Sequence, residues 1–84
     1  MNNYLTKKLG EESSEVTQAA FKVLLHQDRA ARQDFLGEMA DLQCMLDIAH
    51  EQRSHSEKLE FVRLINQRRK REDSKGKAWP KKRK

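Results

Sequence analysis

The sequence predicts an all-α fold: a three-helix subunit with a short basic tail, assembling as a homo-oligomer into a four-helix-type bundle. Three observations carry that expectation. Apolar residues recur at steps of three, four and seven over long stretches, the period of one helix face. No stretch alternates with the period of two that a half-buried strand requires, and no internal repeat is found. The chain has 84 residues, enough for one domain at most, and such a chain buries a modest core that is marginal alone. Helices left with surplus apolar surface commonly associate, and a homodimer or a homotetramer would each meet the shortfall.

The first helix is expected from about Asn3 to about His26, with Asn2 or Asn3 as N-cap. Its stripe runs Leu5, Leu9, Val16, Ala19, Ala20 and Val23. Gly10 lowers helix propensity and would let a ligand or a partner helix approach closely. The segment Gln27 to Ala31 has no proline or glycine to mark a turn, but Asp28 can cap the second helix. That helix is expected over roughly Ala30 to Gln52, with Phe35, Met39, Leu42, Leu46 and Ala49 as its stripe. Glu38 and Asp41 flank that stripe, in a row continued by Met45 and Ile48. Ser54 and Glu57 have capping-box spacing and open a third helix through Leu59, Val62 and Ile65 to about Arg71. The division expected is a helical domain over residues 1–72 and a flexible basic tail over 73–84.

Charge divides along the same line. The formal net charge is +5. Residues 1–67 hold eight Lys/Arg against eleven Asp/Glu, a net of −3, while 68–84 hold ten against two, a net of +8. The basic character therefore belongs to the end of the chain. No apolar run reaches the length of a membrane span and no signal peptide opens the sequence, so a cytoplasmic protein with no membrane partner is expected. The lone Cys44 excludes a disulfide framework within the chain, and fits a reducing compartment and a packing role.

The chemistry lies in two acidic signatures, Glu11-Glu12-Ser13-Ser14-Glu15 and Glu38-Met39-Ala40-Asp41. Each places two carboxylates three residues apart, and such residues are neighbours on a helix surface. Glu12 falls where the first stripe requires an apolar side chain, and Glu15 borders the same face. Charged groups at or beside core positions are costly unless paired or metal-bound. If the two helices pack together, up to five carboxylates converge, and a hard divalent cation is the natural counter-charge.

At these residues the sequence resembles the all-α nucleoside triphosphate pyrophosphohydrolase superfamily, which includes the MazG-like proteins, phosphoribosyl-ATP pyrophosphohydrolase and the dimeric dUTPases. The segment Lys8-Leu9-Gly10-Glu11-Glu12-Ser13-Ser14-Glu15-Val16, with Glu38-Met39-Ala40-Asp41-Leu42, is especially similar to the phosphoribosyl-ATP and phage MazG-like branches. The resemblance covers roughly residues 5–50. It implies that Glu12, Glu15, Glu38 and Asp41 coordinate Mg²⁺, with Mn²⁺ as a substitute. It also implies that Glu11 orients or deprotonates the attacking water, or acts as an outer-sphere partner. The implied reaction cleaves a nucleotide between its α and β phosphates, giving a nucleoside monophosphate and pyrophosphate.

The segment Asn66-Gln67-Arg68-Arg69-Lys70-Arg71 is similar to the last helix of MazG-like relatives. The resemblance therefore suggests Asn66, Arg68 and Arg71 as substrate contacts, and guanidinium suits bidentate phosphate binding. Trp79 would stack on the base or anchor the tail, and Lys8 would reach phosphate or stay solvated. The chain also departs from the family pattern. It is shorter, has little room between the motif helices, carries Asp34 where some relatives have lysine, and ends in a densely basic terminus.

His26, His50 and His55 share no ligand spacing with one another or with Cys44, so no zinc site is expected. No Gly-rich phosphate loop and no nucleophile–base pair is found. The terminal Pro80-Lys81-Lys82-Arg83-Lys84 fits a solubilising tail, a nuclear-localisation patch or a nucleic-acid contact. The alternative to an enzyme is a non-catalytic helical module that binds a nucleotide, a nucleic acid or a protein through this basic tail.

Overall fold

Asn2 stands in extended backbone, and its Oδ1 accepts a hydrogen bond from the Leu5 amide at 2.8 Å. One of the first-turn N–H groups that no helix can pair internally is thereby satisfied. From there α1 runs Asn3–His26. Along it the Thr6, Ser13 and Thr17 hydroxyls each donate to the carbonyl four residues back. These polar side chains are thus held to their own helix.

Gln27 ends α1 in the left-handed region at φ 50°, and its amide donates to the Val23 carbonyl at 2.8 Å. Glycine usually fills this position, because a Cβ there costs about 1–2 kcal/mol. That is why the turn has no marker in the sequence. Asp28 then serves as N-cap, its Oδ1 accepting from the Ala31 amide at 2.7 Å. Next comes α2, Arg29–Glu51. With only Gln27 and Asp28 between them, α1 and α2 fold back on each other as an antiparallel helical hairpin.

The hairpin seam is lined by small and aliphatic residues. Leu5 and Ala19 of α1 and Ala31 and Ala49 of α2 are buried. Leu9, Val16, Ala20 and Val23 are half-buried beside them, as are Phe35, Leu42 and Met45. On α1 this is the expected stripe. On α2 it differs: Met39 and Leu46 remain 47% and 38% exposed, and the inward row is Phe35, Glu38, Leu42, Met45 and Ala49. The helix carries two adjacent apolar rows, and docking against α1 selects the one containing Glu38. Cys44 is exposed, so its expected packing role is not met within the chain.

The third helix, α3, spans His55–Asp73 and has the expected capping box. The Glu57 amide donates to Ser54 Oγ at 3.3 Å, and the Ser54 amide donates to Glu57 Oε1 at 3.2 Å. The structure, a computed structural model, describes residues 2–75, and all its regular elements are helices. The expectations for Trp79, for Pro80–Lys84 and for most of the tail lie outside the described residues. The chain divides into two compact units, Met1–Arg53 and Ser54–Lys84. None of the described helices is long and apolar enough to cross a membrane.

Candidate metal centre

The antiparallel hairpin explains why two distant signatures meet. A move of three residues forward on α1 corresponds to a move of three residues backward on α2. Glu12 to Glu15 and Asp41 to Glu38 are therefore matching steps, and the two acidic pairs lie at the same level of the hairpin. Carboxylate oxygens of Glu12, Glu15 and Glu38 lie within 4.8 Å of one another. Glu12 and Glu38 sit half-buried in the apolar seam, while Glu15 and Asp41 are exposed at its edge. The periodicity places Glu38 beside the stripe, and the structure places it within. Its spacing, three residues after Phe35 and four before Leu42, is the signal that could have found it.

The seam leaves these acids poorly partnered. Glu12 Oε2 and Glu38 Oε2 are both removed from solvent, and no donor among the described residues reaches either one. A buried acceptor without a donor is costly. The effect appears in the titration of both groups. Glu12 is pushed above the ordinary 4.5 by its partial loss of water, then by the charges of Glu15 and Asp41, with Lys8 pulling the other way. Glu38 is pushed up chiefly by its carboxyl contact with Glu15, then by loss of water and by the charges of Glu15, Asp41 and Glu12. Two carboxylates can hydrogen-bond only if they share a proton, so added positive charge would relieve the crowding. Protonation supplies it at low pH, and a cation can supply it at neutral pH.

The remaining candidates are distributed along both units. Asp41 acts on the cluster through its charge but stands outside the group of converging oxygens. Glu11 is turned outward and forms an ion pair with Lys8 at 3.7 Å. Lys8 is also close enough to Glu12 to oppose its upward shift. Asn66, Arg68 and Arg71 belong to α3 and are exposed. Arg68 and Arg71 line a shallow hollow together with Gln67, which no sequence signal had singled out.

An all-oxygen, multiply charged donor set with two unpartnered buried oxygens matches what hard divalent cations take up. Thiolate or imidazole ligands, which would favour a softer metal, are absent from the cluster among the described residues. No protein-family model matches the chain, and no curated protein or solved structure matches it.

Proposed function

We propose that the chain is a Mg²⁺-dependent nucleotide pyrophosphohydrolase whose catalytic residues lie on the α1–α2 hairpin. The observation that supports this most is the pair of seam carboxylates, Glu12 and Glu38, with buried oxygens that no donor among the described residues satisfies. Such groups are retained in a core at a stability cost, and a cation-dependent function accounts for that cost. Glu12, Glu15 and Glu38 would hold the ion, with Asp41 completing the negative field. Bound there, the ion would neutralise charge on the phosphate oxygens and favour ionisation of water.

The chain's own residues fill the other roles. Glu11, exposed beside the cluster, would accept the proton of the attacking water. The water oxygen forms a bond to the α-phosphorus as the bond to the bridging oxygen breaks, and pyrophosphate leaves with that oxygen. Lys8 would offset phosphate charge at the edge of the seam. Asn66, Arg68 and Arg71 are proposed as further phosphate contacts on the strength of the sequence resemblance. Trp79 is proposed on the same ground for the base.

We also propose self-association, as a homodimer or homotetramer in a four-helix-type bundle. Phe21, Leu24, Leu25 and Leu36 of the hairpin are each at least 60% exposed, more apolar surface than a hairpin this small needs to leave in water. Cytoplasmic location is proposed with it. A panel of nucleoside triphosphates and related nucleotides, with Mg²⁺ or Mn²⁺, should release pyrophosphate from at least one member. Silence across the panel, with no divalent binding by calorimetry, would end the enzyme reading.

A further inference from the structure

The third helix is segregated along its axis. Its apolar residues, Leu59, Phe61, Val62, Leu64 and Ile65, all precede residue 66, and Arg68, Arg69, Lys70 and Arg71 come after them in unbroken succession. Successive helical residues are offset by 100°, so four in a row project to every side of the helix. All four are exposed. Arg69 is held by Asp73 at 3.3 Å. Lys70, Arg68 and Arg71 form no ion pair among the described residues, although Arg68 Nη1 also donates to the Leu64 carbonyl at 3.3 Å. One or two cations in a last turn are accounted for by the negative end of the helix dipole. Four in succession, on all sides, exceed that role.

We infer that the C-terminal half of α3 is a binding segment for duplex DNA, seated in the major groove and contacting phosphates on both walls. The geometry selects this partner. A membrane surface is a plane and engages one face of a helix, as does a single nucleotide lodged against Arg68 and Arg71. The major groove is about 12 Å wide and admits one helix of about 10–12 Å diameter, with phosphates on either side. Arg68 and Arg71, about 60° apart around the helix, then face one wall, and Lys70, about 160° from Arg68 and about 100° from Arg71, faces the other. The contacts are to phosphate, so the binding is independent of sequence and falls steeply with salt. The hairpin cluster plays no part in it; Arg68 and Arg71 are shared with the proposed nucleotide contact, and Lys70 belongs to the DNA surface alone.

The test is fluorescence anisotropy of the full chain with a short labelled DNA duplex of mixed sequence, over a salt series. Each phosphate contact removed should reduce the slope of log K against log salt by about 0.9. Lys70→Gln should reduce it by about one, and Arg68→Gln/Arg71→Gln by about two. Glu38→Ala should leave binding unchanged, which separates this result from the fate of the enzyme reading. Replacing Lys81, Lys82, Arg83 and Lys84 by glutamine should weaken binding while leaving the Lys70 effect in place. The inference is overturned if Lys70→Gln leaves the slope unchanged, if the terminal replacements remove all binding, or if phosphatidylserine vesicles bind while the duplex does not. Circular dichroism of each variant separates loss of contact from loss of helix.

Discussion

On α3, Glu60 lies beside Arg63, which donates to both of its carboxylate oxygens and holds the acid below its ordinary 4.5. On the hairpin, Glu12 and Glu38 lie in an apolar seam among other carboxylates and are held above it. The residue type is the same, and the two surroundings shift it in opposite directions. In α3 each of four acids finds a cation or a cap nearby in sequence: Glu57 with Ser54, Glu60 with Arg63, Asp73 with Arg69, Glu72 with Lys75. Those arrangements need no tertiary structure and are worth little, because exposed pairs gain modestly over water. The seam acids could be relieved by a single outward substitution, and their presence there marks them as candidates for function.

That contrast can be broken most sharply by activity. Glu38→Ala should lower pyrophosphate release by more than about a hundredfold, beyond the cost of losing an outer partner of a metal ligand. Arg63→Ala should leave release within about twofold, since its partner is an exposed surface acid. Equal losses in the two variants would show that the seam has no special chemical status.

Thermal stability gives the next largest effect. Millimolar Mg²⁺ should raise the melting temperature of the unmodified chain by about 5 °C or more, through binding to the folded state alone. A Glu12→Gln/Glu38→Gln double variant should show no such rise and should melt higher than the unmodified chain when both lack metal. Differential scanning fluorimetry checks both.

A smaller effect lies in pH. Because Glu12 and Glu38 have raised values when folded, the folded state holds more protons than the unfolded one between 4.5 and those raised values. Their contribution to stability is therefore complete below 4.5 and is lost as pH rises through the folded values. Metal-free melting temperature should decline across that interval, and the double glutamine variant should lose the decline. Glu60 has the opposite sign: its contribution is present above 4.5 and is lost as pH falls through its lowered folded value. The smallest change should come from Glu60→Gln, which should move the melting temperature by less than about 2 °C. A shift as large as that of the seam variants would remove the distinction between the two regions.

Much of the fold is legible in the sequence wherever the governing interaction is local. Asn2, Asp28 and Ser54 cap their helices through side-chain bonds three residues long. Such bonds depend only on the order of residues. Gln27 is not legible, because its left-handed backbone is imposed by the hairpin on a residue that does not prefer it. Periodicity places Met39 and Leu46 in the packed stripe, yet both are exposed, since α2 offers two apolar rows and only contact with α1 chooses between them.

By itself the sequence determined three helices, their caps and the apolar side on which the acids fall, because periodicity and capping are properties of neighbouring residues. The tertiary structure decided which acids meet. Glu12, Glu15 and Glu38 bring oxygens together while Asp41 acts from the edge, an outcome set by the angle and register at which α1 docks on α2. It also decided that Glu38 lies in the seam. The loss of water and the crowding of charge that shift Glu12 and Glu38 exist only once the two helices are packed.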